Sequence, residues 1–251
     1  MAVRRTLTVA VSLATLTLGV AACGGAGGSR ADDPSPDHRS SPASTAPAPA
    51  APAAAHTVAR ATGAEVAVYA DPDAPVPERH LPGTTEFGFR RSFLVLDEQG
   101  DALEVLLPIR PNGSTGWIRR ADVELQPVDH EIDVDLEART LTLRAGGDVV
   151  LETPAAIGAP DAATPTGRFF VTDLLDTGDP DHDYGPFAAG LSGYSNFISE
   201  FAGGDGQIGI HGTNDPASIG EAVSHGCVRV PNDVITTLAT TVPIGTPVTI
   251  H

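Results

Sequence analysis

Gln207-Ile208-Gly209-Ile210-His211-Gly212-Thr213 and, after ten intervening residues, Ser224-His225-Gly226-Cys227-Val228-Arg229-Val230 decide how this chain is read. The first stretch is a short apolar strand pattern with a histidine at its end, where a sheet rather than a loop aims the side chain. The second sets a cysteine after a glycine, on a tight turn, and runs on into a β-branched Val-Arg-Val strand. A thiol is a weak nucleophile until it ionises, and an ordinary cysteine is only a few per cent thiolate near neutral pH. It needs a base within hydrogen-bond reach, and the base needs an orienting partner. His211 suits the base, and the N–H groups of Gly226 and Cys227 suit an oxyanion site on the turn. Two other readings stay open at this point. Cys227, His211, His225 and Asp215 are possible zinc ligands, although a structural site wants four and no Cys-x-x-Cys is present. Alternatively, the histidines are satisfied core residues and Cys227 is a small buried hydrophobe. The expectation is a cysteine nucleophile with no metal and no cofactor.

Working outward, residues 129–251 carry a β pattern. Ile132, Val134 and Leu136 alternate with acidic residues, Leu141 and Leu143 repeat the period, and Val149-Val150-Leu151 follow Gly146-Gly147. This predicts a meander. Thr164-Pro165-Thr166-Gly167 is a turn before the strand Arg168-Phe169-Phe170-Val171. Residues 175–206 show little periodicity and predict a long loop acting as a lid or binding surface. Asn232 is expected to cap a helix over residues 233–241, with Asp233 at its positive end. Residues 247–250 return as a strand.

Residues 56–127 predict a smaller β module. Its strands are Val66-Ala67-Val68-Tyr69-Ala70, Phe93-Leu94-Val95-Leu96, Leu103-Glu104-Val105-Leu106 and Gly116-Trp117-Ile118-Arg119, with a hairpin turn at Glu98-Gln99-Gly100-Asp101. The pattern resembles the small Src-homology-3-like barrels attached to bacterial wall enzymes, and Trp117 is read as packing.

The first 55 residues cannot join a core. Arg4 and Arg5 precede an apolar stretch over residues 6–20, the pattern of an export signal. It ends in Val20-Ala21-Ala22-Cys23, which resembles the lipobox of bacterial lipoproteins and implies lipidation at Cys23, with the signal occupying residues 1–23. Residues 24–55 are rich in Ala, Pro, Ser and Gly and predict a disordered tether. The chain has two cysteines, so a lipid on Cys23 leaves Cys227 without a disulfide partner in an exported protein. The expected place is the outer face of the cytoplasmic membrane, held by lipid, with the folded head in the wall.

The formal charge is −17, with fifteen arginines and no lysine. Such a surface repels phosphate backbones, which excludes nucleic acid as a partner. A monomer is the expected state.

His211-Gly212-Thr213 with Ser224-His225-Gly226-Cys227-Val228-Arg229 resembles the signature of the L,D-transpeptidase catalytic-domain family. The resemblance covers residues 129–251, including the Thr-Pro-Thr-Gly turn and Gly203-Gly204-Asp205-Gly206-Gln207. It implies a mainly β chain: a small barrel over 56–127, then a β-sandwich-like catalytic domain over 128–251 with one or two short helices. Peptidoglycan stem peptides are the implied partners. Cys227 would attack the carbonyl of the third residue of a donor tetrapeptide and expel D-Ala, and an acceptor amine would resolve the acyl-enzyme as a 3→3 cross-link. His211 would shuttle the protons, the Gly212 carbonyl would orient it, and Ser224, His225 and Gly226 would shape the oxyanion environment. Arg229 would hold the donor's carboxylate or the loop, while Tyr184 and Phe187 would line the donor groove. The acidic run Asp176, Asp179, Asp181 and Asp183 would attract the acceptor amine. The same motif also fits an L,D-carboxypeptidase, and a non-catalytic wall-binding lipoprotein is a third reading.

Overall fold

The computed structural model describes residues 56–200 and 204–251; the export signal, Cys23 and the tether lie outside the described residues. Seven short strands come first: β1 His56–Ala61, β2 Glu65–Val68, β3 Arg79–Pro82, β4 Ser92–Gln99, β5 Ala102–Leu106, β6 Thr115–Arg119 and β7 Val123–Val128. Five of them form one sheet in the order β6-β5-β4-β1-β7, and β2 pairs with β3. Val66, Val68, Phe93, Leu103, Val105 and Ile118 close their shared core. The alternation that predicts these strands puts Phe93 into that core and Leu94 on the opposite face, where it meets Leu106 and Phe170.

The remaining strands are β8 His130–Asp135, β9 Thr140–Ala145, β10 Asp148–Pro154, β11 Ile157–Gly158, β12 Gly167–Asp176, β13 Phe187–Tyr194, β14 Gln207–His211, β15 Ala222–Ser224, β16 Val228–Arg229 and, after helix α1 Asn232–Thr241, β17 Pro247–Ile250. Eight of them build a sheet ordered β10-β9-β8-β17-β12-β13-β14-β16. Most pairs are antiparallel, but β17 runs parallel to β8 and β14 parallel to β16. Ile235 and Leu238 of α1 are fully buried and join the core with Leu191, Ile208, Ile210, Val228 and Val248. The architecture is mainly β, with one α-helix among the described residues.

Two expectations need correction. Residues 175–206 are not one loop, because β13 occupies their middle and pairs with both β12 and β14. Its sequence, Phe-Ala-Ala-Gly-Leu-Ser-Gly-Tyr, lacks the β-branched residues that advertise a strand. Its glycines serve packing instead: a Cβ on Gly193 would lie 2.5 Å from the Phe169 ring. Asn232 is not the cap of α1; Pro231 holds that position in extended backbone, and Asn232 opens the helix itself. Its side chain is used elsewhere.

Candidate active site

Strand β14 delivers His211 to the rim of a cleft of about 660 Å³, and the parallel strand β16 begins one residue after Cys227. Pairing of Ile210 with Val228 and of His211 with Arg229 fixes the two segments side by side. His211, Cys227, Ser224, His225, Arg229 and Tyr184 all line this cleft. Phe187 does not; it heads β13 and packs against the hydrophobic core, which corrects its expected place in the groove.

The turn at Ser224-His225-Gly226-Cys227 is closed by one side chain. Ser224 Oγ donates to the Cys227 carbonyl at 2.5 Å and accepts the Gly226 N–H at 3.1 Å. Gly226 has φ +116°, a backbone that side-chain-bearing residues rarely adopt. Because its N–H is spent on Ser224, Gly226 is a shaper of the turn and not an oxyanion donor.

His211 is only 4% exposed, and its Nδ1 lies 2.6 Å from the Gly212 carbonyl. A carbonyl can only accept, so Nδ1 carries the proton and Nε2 keeps its lone pair. Burial pulls the imidazole pKa from 6.5 down to about 4, against the raising effect of the Gly212 bond, with Arg229 and His182 lowering it further. Cys227 is partly open to the cleft, yet atoms crowd its sulfur. That burial pushes the thiol above its ordinary range, while the Gly209 backbone and Arg229 act in the opposite direction. Burial thus pushes both groups of the shared cleft toward their uncharged forms. The Tyr184 ring meets His211 edge-on at 4.5 Å, and its phenol is pushed up by burial first, then by Cys227 and Asp183.

Arg229 is tied to Ala156 through paired backbone bonds of 2.8 and 2.9 Å. Its buried Nε has no hydrogen-bond partner among the described residues. A buried donor left unmet costs free energy that a ligand oxygen can recover.

One wall of the cleft is the β12–β13 loop, with His182, Asp183 and Tyr184. Thr177 Oγ1 donates to the Gly185 carbonyl at 2.6 Å, and Asn214 Nδ2 donates to Asp183 Oδ1 at 2.9 Å. Asn232 spans the gap, accepting the Thr213 N–H at 2.8 Å and donating to the Pro180 carbonyl at 3.2 Å. Gly185 sits against this knot: at φ +60°, a Cβ there would lie 2.8 Å from Gly212 Cα and overlap Asn232 Oδ1. Of the acidic run, Asp183 lines the cleft, whereas Asp176 and Asp179 accept the Gly178 and Asp181 N–H groups of their own loop. The opposite wall is Ser195, Ile198, Gly206 and Gln207. Ser195, Ile198 and Gly206 fall within the stretch expected to form a binding surface, but no signal in the residue pattern pointed to Asn214. Among the described residues, no three His, Cys, Asp or Glu side chains converge as metal ligands.

Comparison with known proteins adds a family. Residues 129–250 match the family described as L,D-transpeptidase catalytic domain. A Bacillus subtilis (strain 168) protein provisionally named L,D-transpeptidase YkuD is 40% identical over 124 residues, 49% of this chain and 67% of that protein. Its Bacillus licheniformis namesake is 37% identical over 123 residues, 49% of this chain and 66% of its own length. The chain thus spans about two thirds of these relatives. Among solved structures, an L,D-transpeptidase from Mycobacterium smegmatis shares 18% identity at a TM-score of 0.39, covering 62% of this chain and 79% of that one.

Proposed function

The chain belongs to the L,D-transpeptidase catalytic-domain family, and from that premise we propose that it joins peptidoglycan stem peptides through a thioester on Cys227, forming 3→3 cross-links. The observation that carries the reading is the shared cleft of Cys227 and His211, with His211 Nδ1 fixed on Gly212 and Nε2 left as an acceptor. In the first half-reaction the Cys227 sulfur attacks the carbonyl of the third residue of a donor tetrapeptide while Nε2 takes the thiol proton. The tetrahedral oxyanion is met by the Cys227 N–H, which the Ser224 bonds leave unspent. Collapse breaks the bond to terminal D-Ala, whose amine leaves with the proton from His211. In the second half, the side-chain amine of an acceptor stem attacks the thioester. His211 accepts that proton and returns it to the departing sulfur, which restores the thiol.

Burial that disfavours the charged forms of both groups suits a sequence in which proton transfer accompanies attack. The orphaned Arg229 Nε offers a donor to a substrate oxygen. Export and lipid anchoring through Cys23, supported by Val20-Ala21-Ala22-Cys23, put the head beside its substrate.

Incubation with a purified disaccharide-tetrapeptide tests the reading. Intact mass should show an acyl adduct on Cys227 that Cys227→Ala lacks, and products should include 3→3 dimers. Tripeptide without dimer means that water resolves the thioester and the enzyme is a carboxypeptidase. An adduct that survives in Cys227→Ala sinks the mechanism.

A further inference from the structure

The wall formed by Ser195, Ile198 and Gly206 is fastened by a segment of the other sheet. Residues 108–112 connect β5 to β6 and reach the end of β13. Arg110 Nη1 donates to the Ser195 carbonyl at 2.7 Å, and Nη2 donates to the Ile198 and Asp205 carbonyls at 3.2 and 2.9 Å. The same guanidinium lies 4.9 Å from the centre of the Tyr194 ring. Asn112 acts as a one-residue strand, donating to the Tyr194 carbonyl at 2.7 Å and accepting the Tyr194 N–H at 2.9 Å. Tyr194 answers with its phenol, which donates to the Pro108 carbonyl at 3.0 Å.

The three carbonyls need this help. They lie beyond the β13–β14 ladder, whose register already shifts between Gly190 and Tyr194, so no strand among the described residues supplies their donors. A guanidinium offers five N–H groups in one rigid plane and can serve three carbonyls at once; an ammonium cannot match that fork. Gly206, at φ +78°, is fixed chiefly by the Ile198 carbonyl, which a Cβ there would overlap, and that Cβ would also stand 3.0 Å from Arg110 Nη2. Ser195 Oγ then accepts the Phe197 and Ile198 N–H groups at 3.2 and 3.1 Å, which passes the fixed position along to Ile198.

We propose that residues 108–112 brace the Ser195–Ile198–Gly206 wall of the cleft, with Arg110 as a positioning residue for stem-peptide binding. The inference rests on the proposed transpeptidase reading for its substrate, but the brace itself can be measured without one. His211 ends β14 and Cys227 precedes β16, and Arg110 bonds neither, so loss of the brace should affect substrate placement more than the reactivity of the thiol.

The test compares full-length wild type with Arg110→Ala, Arg110→Lys and Asn112→Ala. Arg110→Ala should speed amide deuterium exchange over residues 194–198 and raise KM for a tetrapeptide donor about tenfold or more. Alkylation of Cys227 by iodoacetamide, which needs no wall, should stay within about twofold. Arg110→Lys should fall between the two, and Asn112→Ala should follow in the same direction with a smaller change. Unchanged exchange and unchanged KM in Arg110→Ala overturn the proposal, as does an equal loss of alkylation and donor turnover. Should Arg110→Ala fail to fold, unchanged exchange and KM in both other variants overturn it. If wild type forms no adduct with the donor, the cross-linking reading falls, and the exchange measurement still decides the brace.

Discussion

The β12–β13 loop and the wall of Ser195, Ile198 and Gly206 flank the same cleft but are fastened by different parts of the chain. The first is knotted to the His211 segment by Asn214, Asn232 and Thr213, through bonds between residues 19 to 52 positions apart. The second hangs on Arg110, whose three bonds reach 85 to 95 positions along the chain. Arg110 bonds backbone carbonyls alone, which holds its segment whatever the side chains there are, whereas the knot also uses the Asp183 carboxylate and the Asn232 amide oxygen. The difference lies in what each wall is bonded to. The first is bonded directly to the segment that carries Gly212, which holds the imidazole, while the bonds of Arg110 end on Ser195, Ile198 and Asp205 and reach neither His211 nor Cys227. If the proposed function holds, the division predicts that the knotted wall affects the catalytic step and the braced wall affects donor placement.

Substitution at His211 tests that division most severely. His211→Gln should lower the rate of thioester formation by a factor on the order of 10² to 10⁴, the range for loss of a general base. Single-turnover mass spectrometry with the donor measures it. A variant that changed KM alone would place His211 on the same footing as Arg110 and dissolve the asymmetry.

Gly185→Ala comes next. Its Cβ has to displace Gly212 and Asn232 from a backbone already at φ +60°. Overpacking combined with a strained backbone costs on the order of 3 kcal/mol, or roughly 6–12 °C in Tm for a domain of this size. Calorimetry checks the value, and kcat should fall with it. An unchanged Tm means that the knot is looser than its distances imply.

The pH dependence of stability isolates His211 itself. In the unfolded chain its imidazole titrates at 6.5, and in the folded chain burial holds it near 4. Above pH 6.5 neither state is protonated there and the folded state keeps its full stability. As pH falls from 6.5 toward 4, the unfolded chain binds the proton first, so stability declines, then levels below 4. The total is about 3 kcal/mol. Urea unfolding of wild type and His211→Gln at pH 7.5 and 4.5 measures it as a difference of differences, in which the carboxylates cancel. Equal losses in both proteins mean that His211 is not buried as a neutral ring.

These contrasts also mark what could be read from residue order. Ile132, Val134, Leu141 and Leu143 announce β8 and β9 because each strand has one wet and one dry face. Cys227 and His211 stood out because a cysteine following a turn glycine and a histidine at a strand end are chemically conspicuous. Strand β13 was hidden because Ala188, Ala189, Gly190 and Gly193 are small for packing reasons that only Phe169 and the neighbouring strands explain. Asn232 was visible as a polar residue before a helix, but Pro231 took the cap and freed its amide for Thr213 and Pro180. Arg110 and Asn112 could not be found at all. A side chain that binds carbonyls leaves no complementary residue type in its partner, so nothing in residues 194–206 points back to it.

The smallest effect concerns charge on the knotted wall. Asp176, Asp179 and Asp183 look alike in the chain, but only Asp183 lines the cleft; the others spend their carboxylates on N–H groups of their own loop. An acceptor amine approaching as a cation meets Asp183 alone among these three. Asp183→Asn keeps an oxygen to accept from Asn214 Nδ2 and removes the charge, so the loop keeps its knot. KM for the acceptor should then rise about two- to fivefold, within the modest worth of an exposed ion pair, and the rise should vanish as salt screens the field. Asp179→Asn should leave acceptor KM alone. Acylation by the donor should be the same in both, because that half-reaction precedes the amine. Equal effects of the two substitutions would mean that long-range acidity rather than the position of Asp183 draws the amine, and the knotted wall would then contribute to catalysis without contributing to recognition.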